Sequence, residues 1–359
     1  MRKTNCGRLV LSNPNSCNDR RDWLNGKLCL SLAGIMVSAA LVALALHRID
    51  WAVFVIALKK LTIAWLLPAG FIILGATMIR SLRWWFICGT SPLHHFWSFW
   101  RAQTFGCVGN LFFPAKAGEL IRVVALRRFA GVPGAHALSS GIMDRLADGL
   151  GAVLLLFVAI SRLPIEFLQG RALIGFALLF GSLAVLSIVF IVWGGQLSVC
   201  MPRFTGRLSI IGDGFSKRYL QAFHAAQHLR RPGRLVIIEC STLLAFACDT
   251  MAAWLTMVAF GWHLPFSSGL VLILFLAIAT SLPSAPAYVG IYQIACVFAL
   301  RLYQVGDSDA LAYSVVLQIV TFCTVLLQAA VMVFNHGFHD FHAATHTPLP
   351  ELTAQEITF

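Results

Sequence analysis

Charge is scarce in this chain. Only 12% of its 359 residues are Asp, Glu, Lys or Arg, while 58% are hydrophobic; a soluble domain carries about a quarter charged residues. Acids are the rarer sign, with 15 Asp and Glu against 27 Lys and Arg and a net charge of +12. Long soluble loops are missing too: the largest polar loop, residues 194–234, is too short to hold a folded catalytic domain. There is no HExxH, no GxSxG and no Walker-type loop, so the enzyme classes with those signatures find no support. The first outer loop holds a single acid, Asp50, which is no metal-binding pair for a sugar-phosphate transferase. Ten cysteines are scattered at 6, 17, 29, 88, 107, 200, 240, 248, 296 and 323 without one CxxC pair. Most lie in apolar runs and read as small buried hydrophobes, not as disulfides or a metal set. The polar first 27 residues lack a signal-peptide apolar core followed by a small-residue cleavage site.

What the chain has instead is apolar runs near the roughly 20 residues that a bilayer span needs. The best are 28–46, 61–79, 137–161, 171–193, 235–260 and 309–334. The expected fold is an all-α polytopic membrane protein, with six full spans and two re-entrant or broken-helix hairpins. Residues 1–27 form a basic cytoplasmic tail, 28–335 the membrane domain and 336–359 a polar C-terminal tail. Bases set the orientation. The N-terminal tail carries Arg2, Lys3, Arg8, Arg20, Arg21 and Lys27, and the loop 194–234 carries seven arginines and lysines against one acid, Asp213. Both are expected in the cytoplasm, as are Arg80 and Arg83 after the second span and the C-terminus. Lys59 and Lys60 fall on the outer side and count against that topology; "RIDWAVFVIALKK" reads as a short amphipathic helix on the outer surface. Nucleic acid is not expected as a partner, because the bases sit in short loops between spans.

Two stretches, 95–130 and 268–303, are apolar but interrupted, the first at Asn110 and Pro114 and the second in "SLPSAPAYVG". Proline removes a backbone donor and clashes with the preceding turn. Such a break survives at membrane depth only when buried in protein or lining a wet cavity. The interruptions recur in register: the third and sixth spans each begin 23 residues after Pro114 and Pro286. "PAKAGE" at 114 resembles "PAYVGIYQ" at 286, and a glycine, Gly131 or Gly306, follows each. Under the topology above, repeat one (28–161) and repeat two (171–335) are inverted, the usual pointer to a transporter-like site near the midplane.

The charges inside these runs are the candidate site. Glu119 and Arg122 are neighbours on one helix face at i,i+3, just past Pro114 and Gly118, where a new helix begins. A helix N-terminus favours anions, so a lipid phosphate could sit there with Arg122 as a forked partner and Lys116 at the rim. A structural ion pair holding the hairpin closed is the other reading. Asp144 and Asp148 share a face of the third span, with Arg145 beside them; they either pair with Arg122 or Arg145 across the hairpin or lie solvated at the interface. Glu239 and Asp249 are single acids in apolar surroundings, suited to a cavity, a proton relay or a helix cap. In the second interruption, Pro286, Gly290 and Gln293 occupy the matching positions. "RSLRWW" and "FWSFWR" read as an interfacial aromatic belt. His336, His339, His342 and His346 read as a soluble tail and not a metal site. No cofactor, metal or catalytic residue is expected.

The chain resembles the transmembrane-domain family of lysylphosphatidylglycerol synthases, also called flippase-like proteins. The likeness runs over about 28–335 and is carried by "GNLFFPAKAGELIRVVALRRFAGVPGAHALSSGIMDRLADGL", with the pattern G-N-x-x-x-P-x-x-x-G-E-x-x-R and a downstream Asp-Arg, and by "LPSAPAYVGIYQIACVFAL". In the family the second break usually reads P-G-G-x-G-x-x-E. Here Ala287 and Tyr288 replace the glycines and Gln293 replaces the acid, which bears on any mechanism that needs two symmetric carboxylates. The resemblance implies an inner-membrane protein that moves an anionic or polyprenyl-linked lipid or headgroup between leaflets, with lipid-synthesis enzymes as further partners. A soluble aminoacyltransferase domain follows the membrane part in bifunctional members; this chain ends soon after its last span, so lysine transfer is not expected. An integral-membrane transferase acting on a lipid carrier and a non-catalytic scaffold of a lipid-synthesis complex are the alternatives.

Overall fold

Leucine, isoleucine, alanine and phenylalanine dominate the runs that become helices, and two of them stop at a left-handed glycine, Gly89 and Gly131. A computed structural model describes Ile56, Lys59 and residues 61–89, 96–114, 116–160, 232–281 and 286–336. The expected spans at 28–46 and 171–193, both terminal tails and nearly all of the 194–234 loop lie outside these residues. After a 3-10 turn at Ile63–Trp65 come α1 (Leu66–Cys88), α2 (Phe96–Phe112), α3 (Gly118–Ala130) and α4 (Gly134–Ile160). The second set is α5 (Pro232–Ala259), α6 (Phe266–Ser281), a 3-10 turn at Pro286–Tyr288, α7 (Ile291–Arg301) and α8 (Asp307–His336). No strand occurs among the described residues.

Three stretches, Ile63–Cys88, Gly233–Ala259 and Asp307–Phe334, are long and apolar enough to cross a membrane. Helix α4 equals them in length at 27 residues but carries Asp144, Arg145 and Asp148 about its middle. The second expected span, 61–79, proves too short. With no proline or glycine between Ile79 and Gly89, the helix runs on to Cys88 and stops where Gly89 turns left-handed at φ 67°. Arg80 and Arg83 are therefore inside a helix and not in a cytoplasmic loop. Both interrupted stretches are helix–break–helix units, α2–α3 and α6–α7. Asn110 is not itself a break, since α2 continues past it to Phe112.

Helix α1 packs lengthwise on α5, and the two run antiparallel: Thr62 N–H donates to Ala259 O at 2.8 Å, and Arg83 reaches Thr242. The other packing pairs are α1–α2, α2–α3, α3–α4, α1–α4, α4–α5, α4–α6, α5–α6, α6–α7, α7–α8, α5–α8, α1–α8 and α2–α8. One apolar cluster joins α1 to α4 around Trp84, Phe99 and Leu126. A second joins α5 to α8 around Met257, Leu272, Leu300 and Tyr313. Ala69, Ile73, Ala252 and Leu255 seal α1 against α5. On the outside, Ile63, Leu67 and Phe71 form an exposed stripe at helical spacing on the first crossing helix, and Leu327, Val331 and Phe334 form another on α8. Such apolar stripes would drive association in water and match lipid tails in a bilayer. Of the described cysteines, Cys88 and Cys296 are buried as expected, whereas Cys240 and Cys323 are exposed.

Candidate functional site

The first broken unit closes because its arms carry almost no side chain where they meet. A methyl group added at Gly109 would lie 2.6 Å from Ile121 Cδ1 and 2.9 Å from Gly118 Cα. One added at Gly118 would strike Gly106 O and the Asn110 side chain. Asn110 Oδ1 accepts from the Gly118 N–H at 3.0 Å, satisfying one donor at the start of α3. Lys116, at the tip, adopts φ 57°, a left-handed conformation unusual for a side-chain-bearing residue.

This closure carries Arg122 into the protein interior, where it is 2% exposed. Its Nη1 donates to Asp144 Oδ2 at 2.9 Å and to Gln103 Oε1 at 3.1 Å, and Nη2 donates to Gly141 O at 3.1 Å. Its Nε lies 2.9 Å from Glu119 Oε2, and the guanidinium sits 4.8 Å over the Trp84 ring. Trp84 is held in turn by Ser140, whose Oγ accepts from indole Nε1 at 3.0 Å. Arg83, also 2% exposed, enters from α1. Its Nη2 is 2.7 Å from Asp144 Oδ1, its Nη1 is 2.7 Å from Asp148 Oδ1, and Nη1 also donates to Thr242 Oγ1 at 2.7 Å. Arg145 adds a third cation, 2.8 Å from Asp144 Oδ2 and 3.1 Å from Asp148 Oδ2. On α1 and α5, Arg80 pairs with Asp249.

The result is a network of three arginines and three carboxylates, Asp144 at its hub, gathered from α1, α3 and α4, with the separate Arg80–Asp249 pair of α1 and α5 within electrostatic reach of Asp148 and Arg145. Unpaired charges at membrane depth are costly; mutual pairing in this number brings their sum to zero. Glu119, Arg122, Asp144, Arg145 and Asp148 therefore come together as one unit, while Asn110, Pro114 and Gly118 shape the turn that delivers them. Lys116 stands at the rim, within electrostatic reach of Glu119, Arg145 and Asp148. Asp249 is not the lone acid expected, because Arg80 reaches it. Glu239 stays apart on α5: its Oε2 is buried with no hydrogen-bond partner, within electrostatic reach of Arg83 and Asp148.

Arg80, Arg83, Trp84, Gln103 and Thr242 were not foreseen as site residues. Trp84 is fully buried and belongs to this network, not to an interfacial belt; Trp97 on α2 is exposed. The available signal was the uninterrupted helical run through residues 80–88, which forces its arginines into the bundle.

The second broken unit has amides where the first has charges. Gln293 Oε1 accepts from the Gly290 N–H at 2.7 Å, and Gln318 Nε2 on α8 donates to Ala287 O at 2.7 Å. Gln293 Nε2 donates to Gln318 Oε1, joining the two. Ala287 and Tyr288 adopt φ 58° and 59°. The turn at Pro286–Tyr288 packs on α2 of the first unit.

The chain is 23% identical over 310 residues to a UPF0104 membrane protein of Methanothermobacter thermautotrophicus, an alignment covering 80% of this chain and 84% of that protein. No solved structure matches. Residues 31–329 match the family described as lysylphosphatidylglycerol synthase TM region. With that match spanning most of its length, and with apolar helices of crossing length on either side of a paired charge network, the chain is a multi-pass membrane protein that belongs to the lysylphosphatidylglycerol synthase TM-region family.

Proposed function

We propose that this protein is a flippase-like transporter. It moves an anionic lipid or lipid-linked headgroup between leaflets of the bacterial inner membrane, with both termini in the cytoplasm. The observation that carries the reading is the charge network at the inner end of a broken hairpin, surrounded by apolar helices. A polar headgroup needs such a place to leave water, while its acyl chains stay in lipid.

An inverted repeat is part of the reading, and the packing supports it. Each helix pair of one half has its counterpart in the other: α1–α2 with α5–α6, α2–α3 with α6–α7, and α3–α4 with α7–α8. Across the halves, α4–α5 answers α8–α1 and α4–α6 answers α8–α2. The antiparallel run of α1 against α5 gives the two halves opposite direction along that seam. The second tip reaches α2, so both interruptions border one interior region, as in transporters with broken helices at the midplane.

The test is leaflet-resolved translocation in liposomes holding the purified full chain and a headgroup-labelled phosphatidylglycerol. Transfer above that of protein-free liposomes is expected, and its loss in Arg122→Gln protein that still elutes as a monodisperse species. Wild-type transfer by that variant, or no transfer of any anionic lipid by the wild type, overturns the reading.

A further inference from the structure

The basic side chains of the network are not equivalent. Arg83 and Arg122 are sealed, with side chains 0% and 3% exposed; Arg83 Nε and Nη1 and both Nη atoms of Arg122 donate to protein acceptors, and Arg122 Nε pairs with Glu119. Arg80 is committed to Asp249. The side chain of Arg145 is 43% exposed although it touches three carboxylates: Asp144 at 2.8 Å, Asp148 at 3.1 Å and Glu119 at 3.7 Å. Each of those carboxylates has another arginine. Asp144 retains Arg83 and Arg122, Asp148 retains Arg83, and Glu119 retains Arg122 at 2.9 Å. Arg122 has no such freedom, because its departure leaves Glu119 only the 3.7 Å contact. Arg145 alone combines exposure with redundancy, so it can turn away without stranding a buried charge.

Lys116 completes the picture. Its left-handed backbone sets it at the tip, where Lys116 O accepts from the N–H of Glu119 at 3.0 Å, the residue whose carboxylate lies 3.7 Å from Arg145. The four arginines and four carboxylates cancel, and Lys116 adds one positive charge at the tip. Tyr288, from the second tip, lies within electrostatic reach of Glu119 and Arg145.

We propose that Lys116 and Arg145 form an anion port for one phosphate group, with Arg83 and Arg122 as fixed struts behind it. Arg145 offers a planar fork to two phosphate oxygens, and Lys116 adds a point charge from the tip. The inference rests on the transporter reading for its ligand and narrows it to phosphate chemistry, whether from a phospholipid headgroup or from free phosphate.

The experiment is native mass spectrometry of the purified full chain with phosphatidylglycerol and an uncharged diacylglycerol glycolipid in equal amounts. Wild-type protein is expected to retain phosphatidylglycerol preferentially. Arg145→Gln and Lys116→Gln are each expected to lower that preference about tenfold, as loss of one charge-assisted contact implies. Lys116→Arg keeps it, and Arg128→Gln, an exposed base at the end of α3, leaves it unchanged. Inorganic phosphate added at millimolar level separates the sources: displacement of the lipid means that the port accepts free phosphate, and undisturbed binding assigns it to the headgroup. Wild-type preference in the folded double variant Lys116→Gln/Arg145→Gln overturns the port and leaves translocation by the wild type as a separate result. A wild type that binds phosphatidylglycerol through these residues but translocates nothing overturns the transporter reading and keeps the port.

Discussion

Replacing Asp144 with asparagine tests whether the network holds the bundle together. Asp144 is fully buried. Its Oδ1 faces Arg83 at 2.7 Å, and its Oδ2 faces Arg122 at 2.9 Å and Arg145 at 2.8 Å. Asparagine has nearly the same shape, so no cavity forms. It removes the anion, however, and turns one acceptor oxygen into an NH2 donor. Facing one way, that donor meets Arg83; facing the other, it meets Arg122 and Arg145. Either choice sets N–H groups against N–H groups and leaves buried guanidinium charge uncompensated. Removing one partner of a buried pair costs about 3–5 kcal/mol. At about 2 °C per kcal/mol, the scale for larger domains, Tm falls by about 6–10 °C. Thermal unfolding of detergent-purified protein, followed by tryptophan fluorescence, reads this directly. Adding Arg145→Gln to Asp144→Asn removes the surplus cation, and about 1–2 kcal/mol should return as a coupling term. A Tm change below about 1 °C for Asp144→Asn, with strictly additive behaviour of the pair, would refute the reasoning.

Three further substitutions address the two tips. Gly118→Ala drives a methyl group into Gly106 O and Asn110; overpacking of this kind costs about 1–3 kcal/mol, read as a lower Tm. Gln318→Leu leaves Ala287 O and Gln293 Nε2 without partners, so stability, read by the same measurement, should fall by about 1–3 kcal/mol for each stranded group. Ala287→Gly should raise stability by about 0.5–1 kcal/mol, because relief of the left-handed strain, about 1–2 kcal/mol, outweighs the extra chain entropy of glycine; a lower Tm sinks that account.

Much of the fold was legible because hydrocarbon solvent imposes strong rules: long apolar runs must be helices, and prolines at 114 and 286 must interrupt them. The grouping of Glu119, Arg122, Asp144 and Asp148 was legible for the same reason, since charges at that depth need one another. What escaped was the reach of α1. Hydropathy ended the span at Ile79, because two arginines lower the local average, and so Arg80 and Arg83 read as loop residues. Helix continuation was decided by the lack of a breaker before Gly89, not by hydropathy. The amide link from Gln293 to Gln318 was not legible either. It joins residues 25 apart on different helices, and neither local spacing nor composition brings them together. Positions 287 and 288 both take positive φ, a conformation that glycine adopts without strain and that Ala287 and Tyr288 hold at a cost.

The pairing of Arg83 with an acid 61 positions later also constrains how the polypeptide reaches its membrane. During synthesis α1 leaves the ribosome long before its neutralising partner exists. At about 5–20 residues per second, roughly 3–12 s pass before Asp144 follows. Arg80 waits longer still, since Asp249 lies 169 positions downstream. Over that interval a strand of nascent chain bearing two unmatched cations must stay at the insertion machinery or at the headgroup boundary. Commitment of the first half to the lipid phase is thereby tied to translation of the second.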